Sequence, residues 1–145
     1  CSNCADPWVA HPRFMRQAAA TMARTKEEML AQAREAAPQI SVEDGKALLE
    51  GGALALDVRE PAEYQAGHIP SAVNIPRGVL EFKLDHPALE DTSKKILVYC
   101  RSGGRAALAA QTLHELGFTN VSNLVGGFTQ WSEDGQAVEK SPEVC

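Results

Sequence analysis

"KILVYCRSGGRAALAAQTLHELG" runs from Lys95 to Gly117. Its opening, Lys95 to Tyr99, is the strongest strand signal in the chain: a short, continuous apolar run of the kind buried inside a sheet. Cys100 ends that run. Arg101, Ser102, Gly103, Gly104 and Arg105 follow, and paired glycines mark a sharp turn. Beyond them Ala106–Leu116 is predicted to be a helix, with Leu108, Leu113 and Leu116 on its apolar side and Gly117 as its stop.

The same alternation extends in both directions. Ala53–Val58 reads as a buried strand. Ala72–Ile75 reads as another, entered after Pro70 and left at Pro76. Val121–Val125 is the last. Between them lie helical stretches. One is capped by Ser41, with Asp44 in the place of the usual Glu or Gln of a capping box, and is stopped by Gly51 and Gly52. Pro61–Gln65 gives one turn, Val79–Leu84 a short helix, and Phe128–Glu133 a closing helix after Gly126 and Gly127. Strands and helices joined by short connections imply an α/β fold, with parallel strands and helices on both faces of the sheet. Upstream, Gln17–Ala37 is rich in helix formers, with Met22, Met29, Leu30 and Ala33 as an apolar stripe and Pro38 as the stop. The organisation expected is a helical extension over residues 1–38 and one domain over 39–145.

Bulk properties narrow the function. The chain has 145 residues, 44% of them apolar, enough for one core. Its net charge of -5 argues against a nucleic-acid partner, which calls for a basic patch. No apolar stretch approaches the roughly 20 residues of a membrane span, and no signal-peptide core is evident. A cytoplasmic compartment is expected. The alternatives are a processed periplasmic or lipid-anchored form beginning at Cys1, and a natural start at Met22 with residues 1–21 as upstream material. The cysteines, Cys1, Cys4, Cys100 and Cys145, do not form a disulfide framework. Cys1 and Cys4 have zinc-type spacing but lack a second pair, so no metal site is expected.

Cys100 carries the chemistry. Ligands in open parallel α/β sheets gather at the carboxyl ends of strands, and Cys100 stands at one. Successive N–H groups in the glycine turn can point inward as an anion-binding nest, and the helix that follows adds its positive end. Arg101 and Arg105 add full charges. Such a field favours a thiolate on Cys100 and draws in an anionic substrate. No histidine lies near Cys100 in sequence. His68 and His114 are remote, so the expected activation differs from that of a Cys–His pair.

Three segments together resemble the signature blocks of rhodanese-like sulfurtransferase domains: "LDVREPAEYQAGHIPSAVNIP" (56–76), "VYCRSGGRAALAAQTLHELGF" (98–118) and "NLVGGFTQWSEDG" (123–135). They occur in the family's order and spacing, and the resemblance covers about three-quarters of the chain, from Ile40 onward. It implies a five-stranded parallel sheet flanked by helices on both faces. It also implies a reaction in which the Cys100 thiolate takes the outer sulfur of a small anionic donor such as thiosulfate. The resulting persulfide passes to cyanide, a cellular thiol or a protein acceptor, and no cofactor is needed. In this reading Arg101, Ser102, Gly103, Gly104 and Arg105 form the anion-binding loop. Asp57, Arg59 and Glu63 form a buried ion-pair or hydrogen-bond lattice beside it, with direct substrate contact by Arg59 as the alternative, and His68 orders a turn. Phe128 and Trp131 belong to the core, Gly126 and Gly127 let a turn pass close to the loop, and Arg77 is either a donor contact or a solvated arginine. Ser71 stands where the family commonly has Gly.

Other readings use the same residues. A persulfide carrier differs only in its donor and acceptor. A binding or regulatory module would tend to lack the cysteine or the loop. Phosphatases and arsenate reductases carry Cys-x5-Arg, whereas Cys100 to Arg105 is Cys-x4-Arg, a tighter loop with less room for a tetrahedral oxyanion.

Overall fold

The computed structural model describes residues 24–140. Their helices are α1 (Lys26–Ala36), α2 (Val42–Glu50), α3 (Pro61–Ala66), α4 (Gly104–Glu115) and α5 (Gly127–Glu133). The strands are β1 (Gln39–Ile40), β2 (Leu54–Asp57), β3 (Val73–Asn74), β4 (Ile96–Tyr99) and β5 (Val121–Leu124). All five are parallel in the order β1-β5-β4-β2-β3, which places β4 at the centre.

Side chains alternate along β4, as the period of an extended chain requires. Ile96, Val98 and Cys100 enter one core with Leu56, Val58 and the inner face of α4. Leu97 and Tyr99 enter the other, with Val42, Ile69 and Trp131. Cys100 therefore lies on the α4 side of the sheet.

Four expectations change in detail. On α4 the buried face consists of small residues, Ala106, Ala107, Ala109 and Ala110, followed by Leu113. Leu116 is exposed at the helix end and Leu108 is only half-buried. Alanines let the helix approach the sheet closely, so the leucines are displaced to its margins. Among the described residues α1 starts at Lys26, because Thr25 turns out of the helix and its side chain accepts the Glu28 N–H at 3.1 Å. Residues 17–23, Met22, Cys1, Cys4 and Cys145 lie outside the described residues. On α1 Met29 is exposed, while Ala33 is buried and Leu30 half-buried, so the packed stripe turns toward α4. The segment after β3 is a 3-10 helix, Arg77–Phe82, not an α-helix.

Strand β1 was not separable by pattern, since two residues carry no period. It is held by Asn123 N–H to Pro38 O (2.8 Å) and Val125 N–H to Ile40 O (2.9 Å). Ser71, at the position where the family commonly has glycine, has φ 65° and is the one non-glycine residue with positive φ among those described. That is the backbone region that glycine enters most readily.

Candidate active site

The site is built at the carboxyl end of β4. Cys100 is the last buried residue of the apolar run, only 1% exposed. Gly103 sits at φ 114°, a conformation that side chains resist, and caps α4. The turn brings the Gly103 N–H to 3.0 Å from the Cys100 sulfur, to which it donates.

The loop carbonyls are engaged elsewhere. Cys100 O accepts the Phe128 N–H at 2.7 Å and Arg101 O accepts the Thr129 N–H at 3.1 Å. Gly103 O accepts the Ala107 N–H at 3.0 Å and Asn123 Nδ2 at 3.4 Å. These oxygens are thus committed to α5, α4 and β5, and the hydrogen bond that the sulfur receives from the loop is that of the Gly103 N–H.

An open cavity of about 380 Å³ gives access to Cys100. Ser102, Gly104, Arg105 and Leu108 line it from the loop and α4, and Lys26, Leu30 and Arg34 line it from α1. Arg101 is exposed and lines a different groove, with Arg59, Glu63, Ala66, Gly67, Phe128 and Thr129. Arg105 reaches the Cys100 cavity but is bonded to Glu63 through two hydrogen bonds, Nη1–Oε1 at 2.9 Å and Nη2–Oε2 at 3.1 Å. That bond holds the Glu63 carboxyl below its ordinary range and raises the Arg105 guanidinium above its own. The positive charge expected of Arg105 is thus compensated.

Asp57 and Arg59 form a buried fork beside the loop. Arg59 Nε donates to Asp57 Oδ1 at 3.1 Å and Nη2 to Oδ2 at 2.8 Å, while Nη2 also reaches Gly67 O at 2.6 Å. The guanidinium carbon lies 4.5 Å from the Phe128 ring centroid and 5.7 Å from that of Tyr99. Burial alone would lower the Arg59 pKa, but the Asp57 hydrogen bond and charge outweigh it and the net shift is upward. Glu63, expected in this lattice, pairs with Arg105 instead, because α3 carries it toward the start of α4.

His68 is fully buried, stacks on Tyr64 at 3.8 Å between centroids, and places Nδ1 2.9 Å from Tyr64 O. Its backbone exchanges hydrogen bonds with Glu139 at 2.8 Å each way. His68 is thus tied into the turn after α3, away from the Cys100 cavity lining. Arg77 is exposed and outside that lining, and His114 is exposed on α4. Trp131 is buried and donates from Nε1 to Ala137 O at 2.7 Å. The sequence reading missed Lys26, Leu30, Arg34 and Leu108 as cavity residues. The spacing of four from Lys26 to Leu30 and again to Arg34 marks one helix face and was the available signal.

Asp57→Ala is expected to destabilise the fold by about 3 kcal/mol, since it leaves the Arg59 charge buried without its partner. Urea unfolding of the two proteins measures this. A loss under 1 kcal/mol would mean that Gly67 O and the two rings suffice to hold Arg59.

Fold and site together define an α/β protein with a buried cysteine held in a tight glycine loop at the end of the central strand of a parallel sheet. The Rhodanese-like domain family model matches residues 41–134, and the chain belongs to that family. It is 37% identical over 105 residues to "Thiosulfate sulfurtransferase 16, chloroplastic" of Arabidopsis thaliana, covering 66% of this chain and 88% of that one. It is 33% identical over 111 residues to the human "Thiosulfate:glutathione sulfurtransferase", covering 67% and 95%. Against three further relatives the chain spans only 51%, 58% and 62% of their length. A solved structure from Rhodopseudomonas palustris CGA009, a protein of unknown function described as "Possible Tyrosine Phosphatase", superposes with a TM-score of 0.73 at 32% identity. It covers 81% of this chain and 96% of its own. Membership supports sulfur transfer in general, and with it a sulfur donor and a sulfur acceptor as partners. Among the described residues no helix is long and apolar enough to cross a membrane.

Proposed function

We propose that the protein moves sulfane sulfur from thiosulfate or a persulfide donor to a thiophilic acceptor through a Cys100 persulfide. The observation that carries the reading is the buried Cys100 sulfur, 3.0 Å from the Gly103 N–H at the floor of an accessible cavity. In the first step the Cys100 thiolate attacks the outer sulfur of thiosulfate. A new S–S bond forms, the bond within thiosulfate breaks, and its electron pair leaves with sulfite. In the second step cyanide or a thiolate attacks the outer sulfur, the persulfide S–S bond breaks, and the Cys100 thiolate returns. The loop stabilises the negative charge carried on sulfur at each stage.

A phosphatase activity has less support. Arg105, the arginine that would wrap a tetrahedral oxyanion, is turned onto Glu63.

Enzyme mixed with excess thiosulfate and no acceptor is expected to release about one sulfite per chain and stop, as double displacement requires. Cyanide added afterwards is expected to yield one thiocyanate per chain. Absence of the sulfite burst would remove thiosulfate as a donor and leave a protein or small-molecule persulfide in that role.

A further inference from the structure

The free positive charge at the Cys100 cavity does not come from the cysteine loop. Arg105 is bonded to Glu63, and Arg101 lines another groove. The remaining cations of the lining are Lys26 and Arg34, both exposed, and neither has an ion-pair partner among the described residues. They stand on α1, ahead of the region matched by the family model. Leu30 lies between them in sequence and approaches the loop closely: its Cδ2 is 3.8 Å from where a Cβ on Gly104 would sit.

We infer that α1 completes the active site: Lys26, Leu30 and Arg34 form a recognition wall that selects organic anions over cations as sulfur partners of Cys100. The inference rests on Cys100 as the nucleophile and adds the class of partner. Three observations shape it. Lys26 and Arg34 are eight residues apart, about 12 Å along a helix, a spacing that an extended organic anion can bridge. Leu30 and Leu108 give the cavity apolar walls suited to a carbon stem. The volume of about 380 Å³ exceeds what a single inorganic ion fills and lies at the lower end of the range for small-molecule pockets, roughly 300–1,000 Å³. A donor or acceptor with an aliphatic stem and peripheral carboxylate or sulfonate groups matches this lining. The selection acts against the net charge of -5 on the whole chain.

Paired thiol reagents test this without requiring sulfur transfer. Sulfonatoethyl and trimethylammonioethyl methanethiosulfonate share a stem and differ in the sign of their charge. Each is attacked by the Cys100 thiolate at its sulfenyl sulfur, forming a mixed disulfide and expelling methanesulfinate. Labelling at Cys100 is followed by peptide mapping, which separates it from Cys1, Cys4 and Cys145. In the natural protein the anion-to-cation rate ratio at Cys100 is expected to exceed the ratio that the same two reagents show with a free thiol in solution. In Lys26→Gln/Arg34→Gln the anion-to-cation rate ratio is expected to fall about three- to tenfold, and high salt is expected to produce the same fall in the natural protein. Lys94→Gln/Lys95→Gln, at the opposite end of β4, removes the same charge and is expected to leave the ratio unchanged. An unaltered ratio in the α1 variant, or an equal fall in the β4 variant, would overturn the inference. A sulfite burst that fails while the ratio behaves as expected would count against the proposed donor and leave the role of α1 standing.

Discussion

Cys100→Ser is expected to abolish sulfur transfer, lowering the rate by at least about 1,000-fold, while changing stability by no more than about 1 kcal/mol. The two side chains are nearly the same shape, and the Gly103 N–H that meets the sulfur at 3.0 Å can meet a hydroxyl instead. The fold should therefore hardly register the change. A serine hydroxyl has no base in contact to activate it, and it cannot carry a transferable sulfur as a persulfide. Steady-state assay and thermal unfolding of the same preparation separate these effects. Residual transfer above about one-tenth of the natural rate would place the sulfur-carrying group elsewhere in the chain.

Gly127→Ala is expected to be the most damaging change that leaves all reactive groups in place. Its Cβ would sit 2.4 Å from Cys100 O and 2.7 Å from Arg101 O, both backbone atoms. The residue also has φ 57°, which costs alanine roughly 1 kcal/mol even in open space. The clash cannot be relieved by rotating a side chain. Either α5 or the Cys100 loop must move, and the 2.7 Å bond from Phe128 N–H to Cys100 O is lost with it. A destabilisation of about 3 kcal/mol is expected, equivalent to a fall in Tm of roughly 10 °C for a domain of this size. Sulfur transfer should fall about 100-fold or more, because displacing a reacting group by about 1 Å has that order of effect. A variant within 2 °C of the natural Tm and fully active would show that the loop tolerates displacement and that its fixed position is unimportant.

The two predictions describe one arrangement from opposite sides. In the proposed function Cys100 supplies the reacting atom, and the start of α5 binds the carbonyls of Cys100 and Arg101. A thiol at a strand end is common; this one is distinguished by which backbone groups face it.

Much of this was legible in the sequence, and the exceptions have physical reasons. The apolar run Ile96–Tyr99 and the glycine turn place Cys100 at a strand end because each signal is local. The same holds for Gly127, whose role as the point of close passage could be read from adjacent glycines. Strand β1 was not readable, since its two residues are placed by bonds to β5 rather than by any pattern of their own. The partner of Glu63 was misjudged because proximity in sequence favoured Arg59, whereas Asp57 already occupies that guanidinium and α3 turns Glu63 toward Arg105. The charges on Arg101 and Arg105 were visible, but the compensation of Arg105 by Glu63 and the direction of Arg101 were not. Which of them faces the sulfur depends on packing between elements far apart in the chain. For the same reason the contribution of α1 to the cavity escaped notice, although Lys26, Leu30 and Arg34 share a helix face.

The central claim is that Cys100 carries sulfur, and the intact mass of the protein after exposure to thiosulfate tests it most directly. A gain of one sulfur atom, about 32 Da, is expected on the natural chain. It should map to Cys100, disappear on addition of cyanide and be absent from Cys100→Ser. A chain that forms no adduct with thiosulfate or with an organic persulfide, or that gains the same mass after Cys100→Ser, would contradict it.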